Sequence, residues 1–230
     1  KERSKIFKKN QSTDKKKNLD ILAIIPVKSN YIKKKDVPFI KYKSKKLIDI
    51  SIDMVDKSKK INHSIISTSD HKLINYLKQK KKISNKFQIL KRSPKLNSGI
   101  SRIEDVMLDS CNFFKKNKKK NPDIVVFINI HTVVKNKGHL DQVLDTLVSS
   151  GKLSTFSVIK QSDPLFVLKR KNFFCINKGR FDNLEYNNEL TYRYDNSIFA
   201  FWFEALKTKS IFEKSISFKE NSRDNVINIL

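Results

Sequence analysis

Residues 21–27 read ILAIIPV, an apolar run of strand length that ends abruptly in a polar, lysine-studded segment. Such a run lacks the polar alternation of a strand with one wet face. It suits a strand buried on both faces, and that requires a sheet covered by helices on both sides. A second run, DIVVFINI at 123–130, makes the same demand more strongly. Whatever else the chain does, it has to supply two helical layers around a central sheet.

The intervening sequence supplies them. Lys46–Val55 (KLIDISIDMV) is ambiguous by period, and its place between two strands favours a helix. His63–Ser69 reads as a strand, His71–Lys82 as a short basic helix and Phe87–Leu90 as a weaker strand. Ser101–Lys116 carries a helical apolar stripe, with Ser101 expected as N-cap and Glu104 at the third helical position. His139–Val148 places Leu140, Val143, Leu144 and Leu147 on one helix face, and Leu153–Ile159 is a further strand. Repeated strand–helix units imply a parallel sheet with right-handed crossovers. Beyond residue 160 the pattern changes. Pro164–Lys169, Phe173–Ile176 and Ile198–Phe203 read as antiparallel strands, with an Asn-, Asp- and Glu-bearing loop between the last two. The expected fold is therefore α/β, a Rossmann-like, mainly parallel sheet with an antiparallel extension. Residues 1–19, charged and aperiodic, read as a basic tail or linker, and 20–230 as one domain.

No apolar run approaches the ~20 residues needed to span a bilayer, and the N-terminal residues lack the apolar core of a secretory signal. Two cysteines, Cys111 and Cys175, are too few and too scattered for a disulfide framework, so a reducing, cytoplasmic setting is expected. The first residue is Lys rather than Met, which leads us to expect a piece of a longer polypeptide. The formal charge of +26 invites a nucleic-acid partner. Only seven of the 49 basic residues are Arg, however, the side chain whose planar fork suits phosphates and guanine edges. Lys travels here with abundant Asn and Ile, as AT-rich codons would dictate. Without aromatic–basic interleaving, the lysines read as a solvated surface rather than a nucleic-acid face.

In a doubly wound sheet, ligands bind beyond the carboxyl ends of the strands. The segments there resemble, in order, those of the cytidylyltransferases that make CMP-activated acidic sugars, the CMP-N-acetylneuraminate synthetase type. The residues are IIPVK (24–28), KD (35–36), KKLI (45–48), ISTSD (66–70), RSPKL (92–96) with EDVM (104–107), and VVFINIHTVVK (125–135). STFSVIKQSDPLF (154–166) resembles the family's Ser-Val segment ending His-Pro, and TYRYDNSIFAF (191–201) its Tyr-Arg-x-Asn-Gly-x-Ile-Tyr. The resemblance covers residues 21 to about 225, and it rests on order and spacing, because no single motif is specific. Its departures are as informative. The family's phosphate loop carries a glycine pair, and the first glycine here is Gly99. Lys28 stands for the family's Arg. SFKEN (217–221) places Phe218 and Glu220 where the family has two metal-binding aspartates.

The resemblance implies a nucleotidyltransferase-like domain that activates a nonulosonate-type acidic sugar with CTP, releasing pyrophosphate, and that works as a homodimer. It implies catalytic roles for Lys28 and Lys35, nucleotide contacts from Ser29, Asn30, Arg92 and Asn129, and contacts to the acidic sugar from Arg193 and Asn196. Glu220 would be a remaining ligand of Mg²⁺. On residue type alone, Lys28 and Lys35 are equally two solvated charges among many, Arg92 a structural ion pair and Asn129 a turn former. Glu220 could equally precede the N-cap of a terminal helix. An impaired member of the same fold, binding nucleotide or a partner without turnover, is the alternative that the missing glycines favour.

Overall fold

The computed structural model describes residues 19–31, 34–80, 84–97, 101–136, 138–161, 166–169, 172–175, 191–208, 211, 216–222 and 225–228. The basic segment 1–18 and the loop expected between residues 176 and 190 lie outside them.

ILAIIPV forms β1 (Ile21–Val27), and its residues divide by parity between two cores. Ala23, Ile25 and Val27 pack with Leu47, Ile48, Ile52 and Val55 of α1 (Leu47–Lys57), Leu73 and Leu77 of α2 (His71–Gln79), and Leu140, Val143, Leu144 and Leu147 of α4 (His139–Ser150). Leu22 and Ile24 face the other way, onto Met107, Cys111 and Phe114 of α3 (Ile103–Lys118) and Ala205 and Leu206 of α5 (Phe203–Lys207). At roughly 1.5–3 kcal/mol for each large aliphatic side chain removed from water, burial on both faces is what holds the sheet between its helices.

The sheet has seven strands in the order β12-β8-β11-β6-β1-β4-β5. With β1 these are β4 (His63–Thr68), β5 (Phe87–Lys91), β6 (Ile124–Ile128), β8 (Ser154–Gln161), β11 (Thr191–Trp202) and β12 (Ile216–Asn221). β1 lies parallel to both β4 and β6, and β8 parallel to β12. β11 alone runs antiparallel, between β6 and β8. The antiparallel strand expected at 198–203 is present as part of β11. β11 is an interior strand of the main sheet, because its apolar residues serve both faces: Ile198 and Ala200 enter one core, Phe199 and Phe201 the other. Of the expected extension, β9 (Phe166–Lys169) and β10 (Asn172–Cys175) pair with each other apart from the main sheet. Two further small ladders join β2 (Lys41–Tyr42) to β3 (Lys45–Lys46), and β7 (Thr132–Val134) to β13 (Val226–Asn228).

Helix α3 begins later than its sequence suggests. Arg102 occupies the N-cap with extended backbone and no side-chain cap, while the Ser101 hydroxyl donates to the Lys95 carbonyl at 3.1 Å. The serine expected to cap the helix is thus bonded to the preceding 3-10 turn (Pro94–Leu96). No described helix is long and apolar enough to cross a membrane.

Candidate functional site

From β1 the chain crosses to β4 and β5 on one side, and β6 takes the other side of β1. The reversal between β1 and β6 leaves a crevice at the carboxyl ends of these strands, the place where open α/β sheets bind ligands. A cleft of about 510 Å³ opens there, lined by Pro26, Lys28 and Tyr31 after β1, Arg92 after β5, and Asn129 and His131 after β6. Asn97, Ser101, Glu104 of α3, and Tyr194 and Asn196 of β11 are its other polar lining residues.

The glycine-free loop after β1 is held by side chains. The Ser29 hydroxyl donates to Asp70, which also caps α2 by accepting from the Lys72 amide at 2.8 Å. Asn30 Oδ1 accepts from the Asp36 amide at 3.4 Å. Tyr31 and Lys34 exchange backbone hydrogen bonds at 2.9 Å. The left-handed backbone that a glycine would take without cost falls at Asp36, with φ 51°. Ser29 and Asn30 therefore tie the loop down and are not among the cleft-lining residues; Lys28 is exposed and lines the cleft. Lys35 is exposed but lies outside the lining.

Arg92 is only 7% exposed. Its Nη2 donates to the Ser67 carbonyl at 2.6 Å and the Val27 carbonyl at 3.4 Å, and Nε donates to Ser67 Oγ at 3.2 Å. It thereby staples the ends of β1 and β4 while bordering the cleft. Burial lowers its pKa, opposed by nearby Asp109. A guanidinium stripped of water beside an open cleft favours an anion there. Asn129 accepts from the His131 amide at 3.1 Å, so its Oδ1 shapes the turn after β6. That turn brings His131 under Tyr31, ring centres 4.8 Å apart. Burial lowers the pKa of His131, and its Nδ1 is buried without a hydrogen-bond partner among the described residues.

Across the cleft, β11 is interrupted by an irregularity between Tyr194 and Phe199, within which Asn196 takes φ 59°. A buried network fixes it. Asp195 accepts from the Ser157 hydroxyl, from the Ser197 amide at 2.9 Å and from the Ser197 hydroxyl at 2.6 Å. His139 Nε2 lies 2.6 Å from Ser157 Oγ. Burial, more than any partner, lowers the pKa of His139, and burial followed by Asp195 raises that of Tyr194.

Thus Lys28, Arg92, Asn129 and Asn196 converge on one cleft, joined by Tyr31, Glu104, Tyr194 and His131, which the sequence reading did not assign to the site. For His131 the available signal was its position just past the central strand. Arg193 is exposed on β11 and not part of the lining. Glu220 is exposed on β12, paired with Val158 and four strands from β1, roughly 19 Å at ~4.8 Å per strand. The segment that does return beside the turn after β6 is β13, and it brings Asn228, whose Oδ1 accepts from Thr132 Oγ1 at 2.8 Å. Among the described residues no three His, Cys, Asp or Glu side chains cluster in a metal-binding group.

Sheet order and cleft together define the architecture of the nucleotide-diphospho-sugar transferases. Two solved structures are particularly similar. CMP:2-keto-3-deoxy-manno-octonic acid synthetase complexed with CTP superposes with a TM-score of 0.60 at 11% identity, over 88% of this chain and 90% of that one. The 4-diphosphocytidyl-2C-methyl-D-erythritol synthase of Anaerococcus prevotii gives a TM-score of 0.64 at 13% identity, over 92% and 91%. At these identities the likeness is one of fold. No protein-family model and no curated protein matches the sequence.

Proposed function

We propose that the cleft binds CTP and that the chain is a nucleotidyltransferase-like domain acting on an acceptor hydroxyl. The observation that carries this reading is the convergence of Lys28 and Arg92 on one crevice at the sheet's reversal point. In such a transfer the acceptor hydroxyl oxygen attacks the α-phosphorus and gives up its proton to solvent, the bond from the α-phosphorus to the bridging oxygen breaks, and pyrophosphate leaves with that electron pair. Lys28 and Arg92 would face the negative charge gathering on the phosphate oxygens, and the rest of the catalysis is positioning. An acidic sugar, the acceptor that the resemblance implies, would meet Asn196 inside the cleft, with Arg193 approaching only from outside it. Both structural neighbours are named for cytidylyl chemistry, and one holds CTP, which supports this choice of nucleotide. Self-association is proposed with it. Tyr192 and Phe218, exposed by 36% and 51% with rings 4.8 Å apart, form an apolar pair suited to a second copy.

A second reading, nucleotide binding without turnover, is favoured by one observation: the loop after β1 is tied by Ser29, Asn30 and the Tyr31–Lys34 pair rather than opened by glycines. Pyrophosphate release with CTP, Mg²⁺ and a panel of acidic sugars, measured beside a CTP-induced thermal shift, separates the two. Release of pyrophosphate supports the transferase, and a shift without release supports the binding module. Neither signal would refute both.

A further inference from the structure

Most aromatic side chains of the cleft lining are already engaged with one another. Phe199 and Phe201 belong to the core behind it, Phe156 stacks on Phe199 with ring centres 4.0 Å apart, and Tyr194 stands edge-on to Phe156. Tyr31 is different. It is 44% exposed, and among the described residues the other exposed tyrosine and phenylalanine side chains, Tyr192 and Phe218, lie outside the lining. His131 takes one side of the Tyr31 ring, with centres 4.8 Å apart and planes tilted by 45°. Through these two rings the loop after β1 meets the turn after β6 at the crevice. The backbone fixes the loop around the ring. Tyr31 and Lys34 exchange hydrogen bonds at 2.9 Å, and the Val37 amide donates to the Ser29 carbonyl at 2.8 Å. Burial lowers the pKa of His131, so the support beside Tyr31 is uncharged at neutral pH. Ile103, the other exposed large apolar side chain of the lining, is aliphatic and has no flat face.

We propose that Tyr31, braced by His131, is the platform on which the nucleobase of the bound nucleotide stacks. The inference rests on the reading that the cleft binds CTP, and adds to it the residue that holds the base. Lys28 precedes Tyr31 on the same loop and lines the same cleft. With the phosphates facing Lys28 and Arg92, the loop offers the uncharged end of the nucleotide a ring rather than a further cation. A nucleobase gains there from area removed from water and from stacking on a fixed aromatic side chain. The acidic acceptor has no flat face to stack, and its hydroxyls need hydrogen-bonding partners instead. Asn196 and Tyr194 supply such groups from β11, across the cleft. Base and acceptor are thereby assigned to different walls, with the phosphates between them.

The test titrates the whole chain by calorimetry with CTP and with inorganic tripolyphosphate, which carries the phosphates without the base, each with Mg²⁺. Tyr31→Ala should weaken CTP by about tenfold or more, the scale of stacking on one aromatic side chain, and leave tripolyphosphate unchanged. Tyr31→Phe keeps the flat ring and should bind CTP as the parent does. Tyr31→Ile keeps apolar area without a flat ring and should lose CTP affinity as Tyr31→Ala does. Thermal melts confirm that each variant folds, and Tyr31→Ile carries the test if Tyr31→Ala does not. Equal losses for CTP and tripolyphosphate overturn the proposal, because Tyr31 would then be shaping the phosphate site. Tyr31→Ile binding CTP as tightly as Tyr31→Phe overturns it as well. CTP bound equally by the parent and Tyr31→Ala overturns it while leaving the nucleotide reading intact. A parent chain that binds no CTP overturns both.

Discussion

Replacing Asp195 by Ala tests whether the buried network behind the cleft holds β11 in shape. Asp195 is 1% exposed and is the acceptor for three donors: the Ser157 hydroxyl, the Ser197 amide and the Ser197 hydroxyl. Alanine removes all three acceptor sites at once. The Ser157 hydroxyl has a second option, because it can rotate to donate to His139 Nε2, already 2.6 Å away. The Ser197 amide cannot re-aim, and among the described residues its hydroxyl has only the same vacated oxygen as partner. Two stranded buried donors at about 1–3 kcal/mol each give about 2–6 kcal/mol. Relief from burying a carboxylate offsets part of this, so the expected loss is about 3 kcal/mol. For a chain of this size that lowers Tm by about 6–12 °C. Asp195→Asn keeps an oxygen for Ser197 and converts charge-assisted bonds to neutral ones, so its loss should be nearer 1 kcal/mol. Urea unfolding followed by circular dichroism, with thermal melts alongside, measures both. An Asp195→Ala protein as stable as the parent would refute the reasoning, because the three bonds would then contribute nothing net.

Lys28→Ala should abolish the thermal shift produced by CTP while leaving the unliganded Tm unchanged, since Lys28 is exposed and lines the cleft; a retained shift would remove it from the nucleotide site. His63, His131 and His139 all have pKa values lowered by burial, so each binds its proton more readily in the unfolded chain. Their contribution is complete above the unfolded value of about 6.5 and is lost as pH falls from there toward the folded values. Melts should therefore show a lower Tm at pH 5.5 than at 7.5, and His139→Gln should flatten part of that slope. Burial pushes the Cys111 thiol up to about 12. In a Cys175→Ser background a thiol reagent at pH 8 should label Cys111 only once urea unfolds the chain. Phe114→Ala, emptying a side chain that is 2% exposed between α3 and the sheet, should cost about 3–5 kcal/mol by chemical denaturation.

Much of the fold was legible because its strongest signals are local. ILAIIPV and IVVFI need no partner to be recognised as doubly buried strands, and the stripe of Leu140, Val143, Leu144 and Leu147 needs none to be a helix face. The place of β11 was not legible. Its first half alternates polar and apolar residues and its second half does not, because the irregularity at Asp195–Ser197 marks where it passes from the sheet's margin into the interior. Nothing local tells a strand which neighbours it will separate. The cleft shows the same division. Lys28, Arg92, Asn129 and Asn196 could be named because each follows or interrupts a strand. The partners of Asp195 could not, since Ser157 and His139 meet it only through the sheet's topology. Ser101 shows a local rule overridden: a hydroxyl suited to capping α3 found the Lys95 carbonyl first.

The insertion of β11 also has a consequence for biosynthesis. β6 ends at Ile128, yet the strand that covers its outer edge begins only at Thr191. While the ribosome makes the residues between, β5, β4, β1 and β6 can already pair, leaving the most apolar strand of the chain with a bare row of amides and carbonyls. β8 cannot close it, because β8 reaches the sheet only through β11. A nascent chain halted before residue 191 would carry an open, apolar edge of the kind that recruits other chains. Its successful folding depends on Thr191–Trp202 arriving in time.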